Sequence, residues 1–190
     1  MHKLVCITGL TGSGKSAASD FFVKKGFQYL RFGQVVLDEV KKRGLEPIEA
    51  NERPIREELR KKYGMAAMAT LNLPNFKRLM KKGNVLGDGL YSFEEYKVLK
   101  KEFGKKFITI AVYAPPTMRY ERLTKRKLLK RDTNLRNRPA TKKAAESRDY
   151  AELENLNKGA TIALSDYTIV NTKTLSYFNK QLDEIYRKIK

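Results

Sequence analysis

Tryptophan is absent, and cysteine and histidine occur once each. A single cysteine allows no internal disulfide. Cys6 also lies in an apolar run, Leu4-Val5-Cys6-Ile7, where a thiol fills core space rather than acting as a nucleophile. His2 stands beside the N-terminus, so a metal site built from Cys and His has no support. No apolar run approaches the roughly 20 residues a membrane helix needs. The N-terminus enters a strand at once, which predicts no signal peptide, no membrane association and a cytoplasmic protein. Low-complexity linkers and internal repeats are missing too. The 190 residues are enough for a single domain, 1–190, with a real core.

Acidic residues are scarce: 21 stand against 40 Lys and Arg, giving a net charge of +19. Such a balance implies attraction for polyanions, nucleotides and nucleic acids alike. A solvated, lysine-rich surface accounts for the same number, so charge alone does not choose.

What is present begins at Gly9. The stretch Gly9-Leu10-Thr11-Gly12-Ser13-Gly14-Lys15-Ser16 fits G-x-x-x-x-G-K-[ST], the Walker A phosphate loop. Before it, Leu4–Ile7 reads as a buried strand. After it, Ala17, Ala18, Phe21 and Phe22 read as a helix stopped at Lys24-Lys25-Gly26. Glycines let the backbone approach an anion closely, and the N–H groups at the helix start face a polyphosphate. Residues Gly9 to Ala17 are therefore expected to bind ATP. Lys15 is expected at the β- and γ-phosphates, and Ser16 at Mg²⁺.

Strand and helix patterns then alternate. Phe27–Phe32 reads as a strand, followed by a helix from Gly33 to about Arg43. A second helix is expected over Pro54–Tyr63, a short one over Met65–Leu71 and another over Asn75–Lys82. Val85–Gly89 is a third strand, and Ser92-Phe93-Glu94-Glu95 is a capping box opening a helix to about Glu102. Phe107–Tyr113 is a strand, Met118 to about Lys125 a helix, Tyr167–Val170 the last strand and Leu175–Ile189 the closing helix. Most strands lack polar alternation. This predicts a three-layer α/β/α fold around a parallel five-stranded sheet. Ligands in such sheets sit beyond the strand C-termini, an edge that would gather the phosphate loop, Arg31-Phe32-Gly33, Asp88 and Asn171.

Asp88 is the candidate carboxylate, for Mg²⁺ or for the acceptor hydroxyl; a plain Gly-Asp-Gly turn is the bland alternative. Residues 122–148 are the most basic stretch, with Asp132 and Glu146 its only acids. Arg126, Arg131 and Arg148 are the candidates for neutralising the transferred phosphoryl group. Arg53, Arg56 and Arg60 recur at helical spacing, so Arg56 and Arg60 are candidates for holding an acceptor phosphate, and Phe32 and Gly33 for lining its site.

The sequence resembles small P-loop kinases of the dephospho-CoA kinase and nucleoside monophosphate kinase type, nearest to an archaeal-type branch. Ile7 to Ser16 is similar to both groups. Phe32-Gly33-Gln34-Val35-Val36 resembles the acceptor segment of adenylate kinase, and Arg119 to Arg126 resembles the helix leading into the lid. Arg148-Asp149 with Ala163 to Asn171 looks most like the C-terminal part of dephospho-CoA kinase, which implies an adenine-side role for Asn171. It further implies an acceptor-binding insertion at about residues 33–83 and a lid at about 126–148. Where dephospho-CoA kinases carry an acidic pair after the second strand, Leu30-Arg31-Phe32-Gly33 stands here, so the carboxylate role falls to Asp88. The expected function is transfer of phosphate from ATP to a small nucleotide-like acceptor. Two rivals are a nucleotide-gated RNA- or DNA-binding ATPase, motivated by the charge, and a regulatory nucleotide binder with little turnover.

Overall fold

The computed structural model describes residues 2–127 and 139–190. Five strands form one sheet: β1 (Leu4–Thr8), β2 (Gln28–Arg31), β3 (Val85–Asp88), β4 (Phe107–Tyr113) and β5 (Tyr167–Val170). All pairings are parallel and the order is β2-β3-β1-β4-β5. The three-layer α/β/α architecture expected from the sequence is the one observed.

β1 lies at the centre and is buried along its whole length. Its side chains alternate between faces. Leu4 and Cys6 join a core with Leu30, Phe32, Val36, Phe76 and Leu99. Val5 and Ile7 join the opposite core with Phe22, Ile110, Phe178 and Leu182. The first core is roofed by α2 (Gln34–Lys42), α3 (Glu49–Tyr63), α4 (Ala67–Met80) and α5 (Phe93–Phe103). The second lies under α1 (Lys15–Lys24) and α9 (Leu175–Ile189). The remaining helices are α6 (Pro116–Thr124), α7 (Lys142–Leu156) and α8 (Lys158–Ala163), with α7 packed on α6 and α8 on α5.

Helix α6 starts at Pro116 rather than Met118, and two larger departures from the sequence reading fall in α4 and α3. The segments expected as separate helices at Met65–Leu71 and Asn75–Lys82 are one helix, α4, with Pro74 inside it. An interior proline forfeits a hydrogen bond and costs about 3 kcal/mol. Here Met68, Ala69 and Phe76 are fully committed to the core on both sides of it, and Asn72 Nδ2 donates to Met68 O and Phe32 O, tying the helix to the sheet. Similarly, α3 begins at Glu49 rather than Pro54, because burial of Ile55 and Glu52 holds the preceding turn in place. The capping box at Ser92 forms as expected: Glu95 N donates to Ser92 Oγ at 3.1 Å and Ser92 N donates to Glu95 Oε2 at 3.3 Å.

Parallel register brings the strand ends together. Ile7 stands beside Asp88 across β1 and β3, and Thr8 beside Ala111 across β1 and β4. The turn after β3 is stitched to the end of β1: Leu90 N donates to Ile7 O, and Thr8 Oγ1 donates to Leu90 O. Asn171, just past β5, donates its N–H to Tyr113 O at the end of β4.

Candidate nucleotide site

The phosphate loop is fixed by close backbone approaches. Gly9 has φ +138°, and a Cβ there would lie 2.3 Å from Val112 O. Gly12 has φ +81°, and its Cβ would lie 2.8 Å from Arg119 O. Only glycine serves at either position, for dihedral and for space. Gly14, also at positive φ, is the N-cap of α1 and supplies no side-chain cap; the first turn carries no acid. The first N–H groups of α1 thus remain available to an anion. Ser13 Oγ is buried and has no hydrogen-bond partner among the described residues.

Lys15 folds back over this loop, donating from Nζ to Gly9 O at 2.8 Å and Leu10 O at 3.0 Å. Burial, with the charges of Lys158 and Arg148, pushes its ammonium down to about 7, against the opposing pull of Glu152 and Asp88. A polyphosphate would restore its charge. The cradle, the uncapped helix start, the orphaned hydroxyl and the cation together fit a nucleotide phosphate chain. Among the described residues no group of three or more His, Cys, Asp or Glu side chains is placed to hold a metal. A Mg²⁺ here would draw its ligands from Ser16, half-buried in the first turn of α1, from Asp88 and from the phosphates themselves.

Asp88, at the C-terminus of β3, is buried. Its Oδ1 accepts from Ser19 Oγ at 3.0 Å and its Oδ2 from Tyr29 OH at 2.7 Å. These donors fix the carboxylate on the edge where the loop lies.

Two further residues brace the loop. Arg119, 2% exposed, donates from Nε to Ala114 O and from Nη1 to Thr11 O, while its Nη2 lies 2.6 Å from Asp149 Oδ2. Tyr120 OH donates to the same carboxylate oxygen. Asn171 Nδ2 donates to Ser13 O at 2.8 Å, and Arg122 Nη2 donates to Asn171 O. Asn171 therefore reaches the phosphate loop itself.

An ionic cluster centred on the buried Glu152 flanks Lys15. Glu152 Oε2 accepts from Lys158 Nζ at 2.5 Å, and Oε1 accepts from Arg148 Nε at 3.0 Å and Thr11 Oγ1 at 3.4 Å. Burial alone would raise the Glu152 carboxyl, but Lys158, Arg148 and Lys15 hold it at about 2. Lys158 is fully buried, with Nζ 4.5 Å from the centre of the Tyr91 ring. Arg148 is thus brought to the loop. Arg126, just after α6, is half-buried, and Arg131 lies outside the described residues.

Among the acceptor candidates, Phe32 has its ring wholly in the core, 5.5 Å from that of Phe76. Its side chain is therefore closed to any ligand, which corrects the expectation that it lines a site. Gly33, directly after it, caps α2. The three arginines of α3 do not act as one set. Arg53 points to solvent and pairs with Glu57 at 2.9 Å. Arg60 is half-buried against the electrostatic field of Glu95, with Arg56 beside it. Arg43 is taken up in joining α2 to α3, through a two-pronged contact with Glu58 at 2.9 Å and a bond to Glu39.

Sequence reading missed Arg119, Glu152 and Lys158. Arg148 and Glu152 at i,i+4 were a legible signal. Nothing in the sequence marks Lys158 off from the other lysines.

The model for a family described as AAA domain matches residues 5–144. Over 188 residues the chain is 34% identical to a UPF0200 protein of Thermococcus onnurineus, covering 98% of this chain and 97% of that one. It is 38% identical over 173 residues to a UPF0200 protein of Aeropyrum pernix, covering 90% and 86%. TT1252 from Thermus thermophilus superposes with a TM-score of 0.64 at 16% identity, covering all of both chains. Shikimate kinase from Bacteroides thetaiotaomicron gives 0.58 at 13% identity, covering 98% of each. At such identities the likeness is one of fold, and the fold is that of a P-loop kinase-like NTPase. With its glycine cradle, inward-folded Lys15 and flanking Asp88, the chain belongs to the AAA-domain family and to the UPF0200 proteins.

Proposed function

We propose that this protein is an ATP-dependent phosphotransferase acting on a small nucleotide-like acceptor of the dephospho-CoA or nucleoside monophosphate type. The observation that carries the proposal is Lys15 Nζ resting on the carbonyls of Gly9 and Leu10 over an uncapped helix N-terminus, with Asp88 on the adjoining strand end.

In this reading the N–H groups of Gly9 to Ala17 orient the phosphate chain and Lys15 neutralises its outer groups. Ser16 and Asp88 would hold a Mg²⁺, which would supply charge neutralisation to the phosphates. Arg148, and with it Arg126 and Arg131, stabilises charge on the group in transfer. Asn171 holds the loop from the adenine side. The proposal further assigns acceptor binding to about residues 33–83, with Gly33, Arg56 and Arg60 as contacts, and a covering role to about residues 126–148.

Calorimetry with Mg²⁺-ATP and a coupled assay over dephospho-CoA and nucleoside monophosphates test this. Heat on ATP addition, ADP release that depends on one acceptor, and loss of both in Lys15→Ala support it. Transfer unaffected by Lys15→Ala overturns it. The net charge of +19 motivates one other reading, a nucleotide-gated RNA- or DNA-binding ATPase. ATP-strengthened, salt-sensitive RNA binding without acceptor turnover would select that instead.

A further inference from the structure

We propose that the sheet edge opposite the nucleotide site is a landing surface for the phosphate backbone of a double-helical nucleic acid. This goes beyond the phosphotransferase reading and does not rest on it, because the surface uses neither ATP nor the phosphate loop.

Two short segments, residues 77–82 and 97–106, hold nine Lys and Arg and a single acid, Glu102. The first closes α4 and leads into β3, and the second closes α5 and leads into β4. Val85 and Phe107, where those strands start, are both in register with Leu4 at the start of β1. Register therefore brings the two segments to one edge of the sheet, two strand spacings or about 10 Å apart. Lys77 Nζ lies 2.5 Å from Glu102 Oε1, which joins the two helix ends and takes up the one acid. A groove of about 290 Å³ runs between them, with His2, Lys77, Lys81, Phe103 and Lys106 in its lining. The phosphate loop follows β1 at its other end, so groove and loop lie a strand length apart, about 15 Å.

Lys81, Lys82, Lys100, Lys101, Lys105 and Lys106 are all exposed. None of the six pairs with an acid among the described residues. Cations favour helix C-termini, which accounts for Lys100 and Lys101 in the last turn of α5. Lys105 and Lys106 lie beyond it, in a single 3₁₀ turn, Gly104–Lys106. Uncompensated ammonium groups gathered on one edge repel each other, and a polyanion relieves that repulsion.

The kind of polyanion follows from what accompanies the charge. Of the large apolar side chains that are exposed, none lies between Tyr63 and Tyr113. An anionic bilayer is held by an apolar anchor as well as by charge. Single strands are held by aromatic side chains on which bases stack. These two segments offer neither. Flexible lysine point charges suit the regular phosphates of a duplex, which they position without reading its bases.

Fluorescence anisotropy with the full chain and a labelled duplex of roughly 20 base pairs, made as RNA and as DNA, tests the assignment. Binding to either duplex at about 50 mM KCl is expected, with log K falling against log [KCl] at a slope of about −4 to −5, as about five phosphate contacts require. Lys100→Ala, Lys101→Ala, Lys105→Ala and Lys106→Ala in one chain should weaken binding at least about 100-fold and flatten the slope by about 3 to 4. Lys→Arg at the same four positions should preserve it. Lys41→Ala, Lys42→Ala, Lys61→Ala and Lys62→Ala, an equal loss of charge elsewhere, should weaken it less than about threefold. Saturating Mg²⁺-ATP should leave duplex binding unchanged, and Lys15→Ala should still bind the duplex, which separates this surface from the nucleotide site. No duplex binding at low salt, an equal loss in the two fourfold Ala variants, or displacement of the duplex by ATP overturns the proposal. So does tighter binding to phosphatidylserine vesicles or to polyglutamate than to either duplex.

Discussion

Lys158 Nζ lies 2.5 Å from Glu152 Oε2, with both side chains shut away from solvent. The other oxygen of Glu152 accepts from Arg148 and from Thr11, so a charge pair on α7 and α8 is bonded to the phosphate loop. The pair depresses Lys15 through Lys158 and supports it through Glu152.

Removing one partner strands the other. Lys158→Met should destabilise the protein by about 3–5 kcal/mol, because a buried carboxylate loses its counter-ion. Urea unfolding measures this, and adding Glu152→Met should return most of the loss. Acid tests the same pair. Glu152 is held at about 2 in the folded state against an ordinary 4.5. The stability it confers is complete above pH 4.5 and declines as pH falls towards 2. Lys158→Met should weaken that decline; an unchanged acid limb would show that the ion pair is not its source.

Affinity for ATP should fall as pH rises past about 7. In the free protein Lys15 loses its proton there, whereas bound phosphate raises its pKa. Binding above pH 7 therefore takes up a proton, and the dissociation constant should climb towards tenfold per pH unit. Calorimetry in buffers of different ionisation enthalpy counts that proton directly. A flat profile from pH 6 to 8.5 would contradict the assignment.

Gly9→Ala should cost at least 100-fold in ATP affinity, an effect of about 2.7 kcal/mol. The added methyl would meet Val112 O at 2.3 Å on a backbone at φ +138°. Gly26→Ala is the control. It also has positive φ, but nothing lies within 4 Å, so it should lower stability by about 1 kcal/mol and leave ATP binding intact.

Asp88→Asn keeps a hydrogen-bonding group between Ser19 and Tyr29 and removes the charge. Turnover should drop about 10- to 100-fold, with a higher Mg²⁺ requirement. Circular dichroism and melting temperature should stay close to wild type, separating a metal role from a structural one.

Particular residues mark the limits of sequence reading. The Gly9–Ser16 spacing was legible because a phosphate loop is local: eight consecutive residues contain the whole device. Ser92 and Glu95 were legible as a cap for the same reason. The break placed between Leu71 and Asn75 was not sound, because Pro74 is a local signal that packing of Met68 and Phe76 overrides. Arg53, Arg56 and Arg60 share a spacing but not an environment: Arg53 pairs with Glu57 in solvent, whereas Arg60 is half-buried in the field of Glu95.

The sequence by itself determined the alternation of strands and helices, the phosphate loop and the carboxylate ending β3, all carried by short-range pattern and backbone chemistry. The tertiary structure alone decided which charges meet. It took Phe32 into the core, set Arg119 and Asn171 against the loop, and closed Lys158 onto Glu152. The partners in those contacts lie between 6 and 158 positions apart along the chain. Whether a lysine faces water or a buried carboxylate is fixed by how the layers pack, and spacing along the chain carries no record of that.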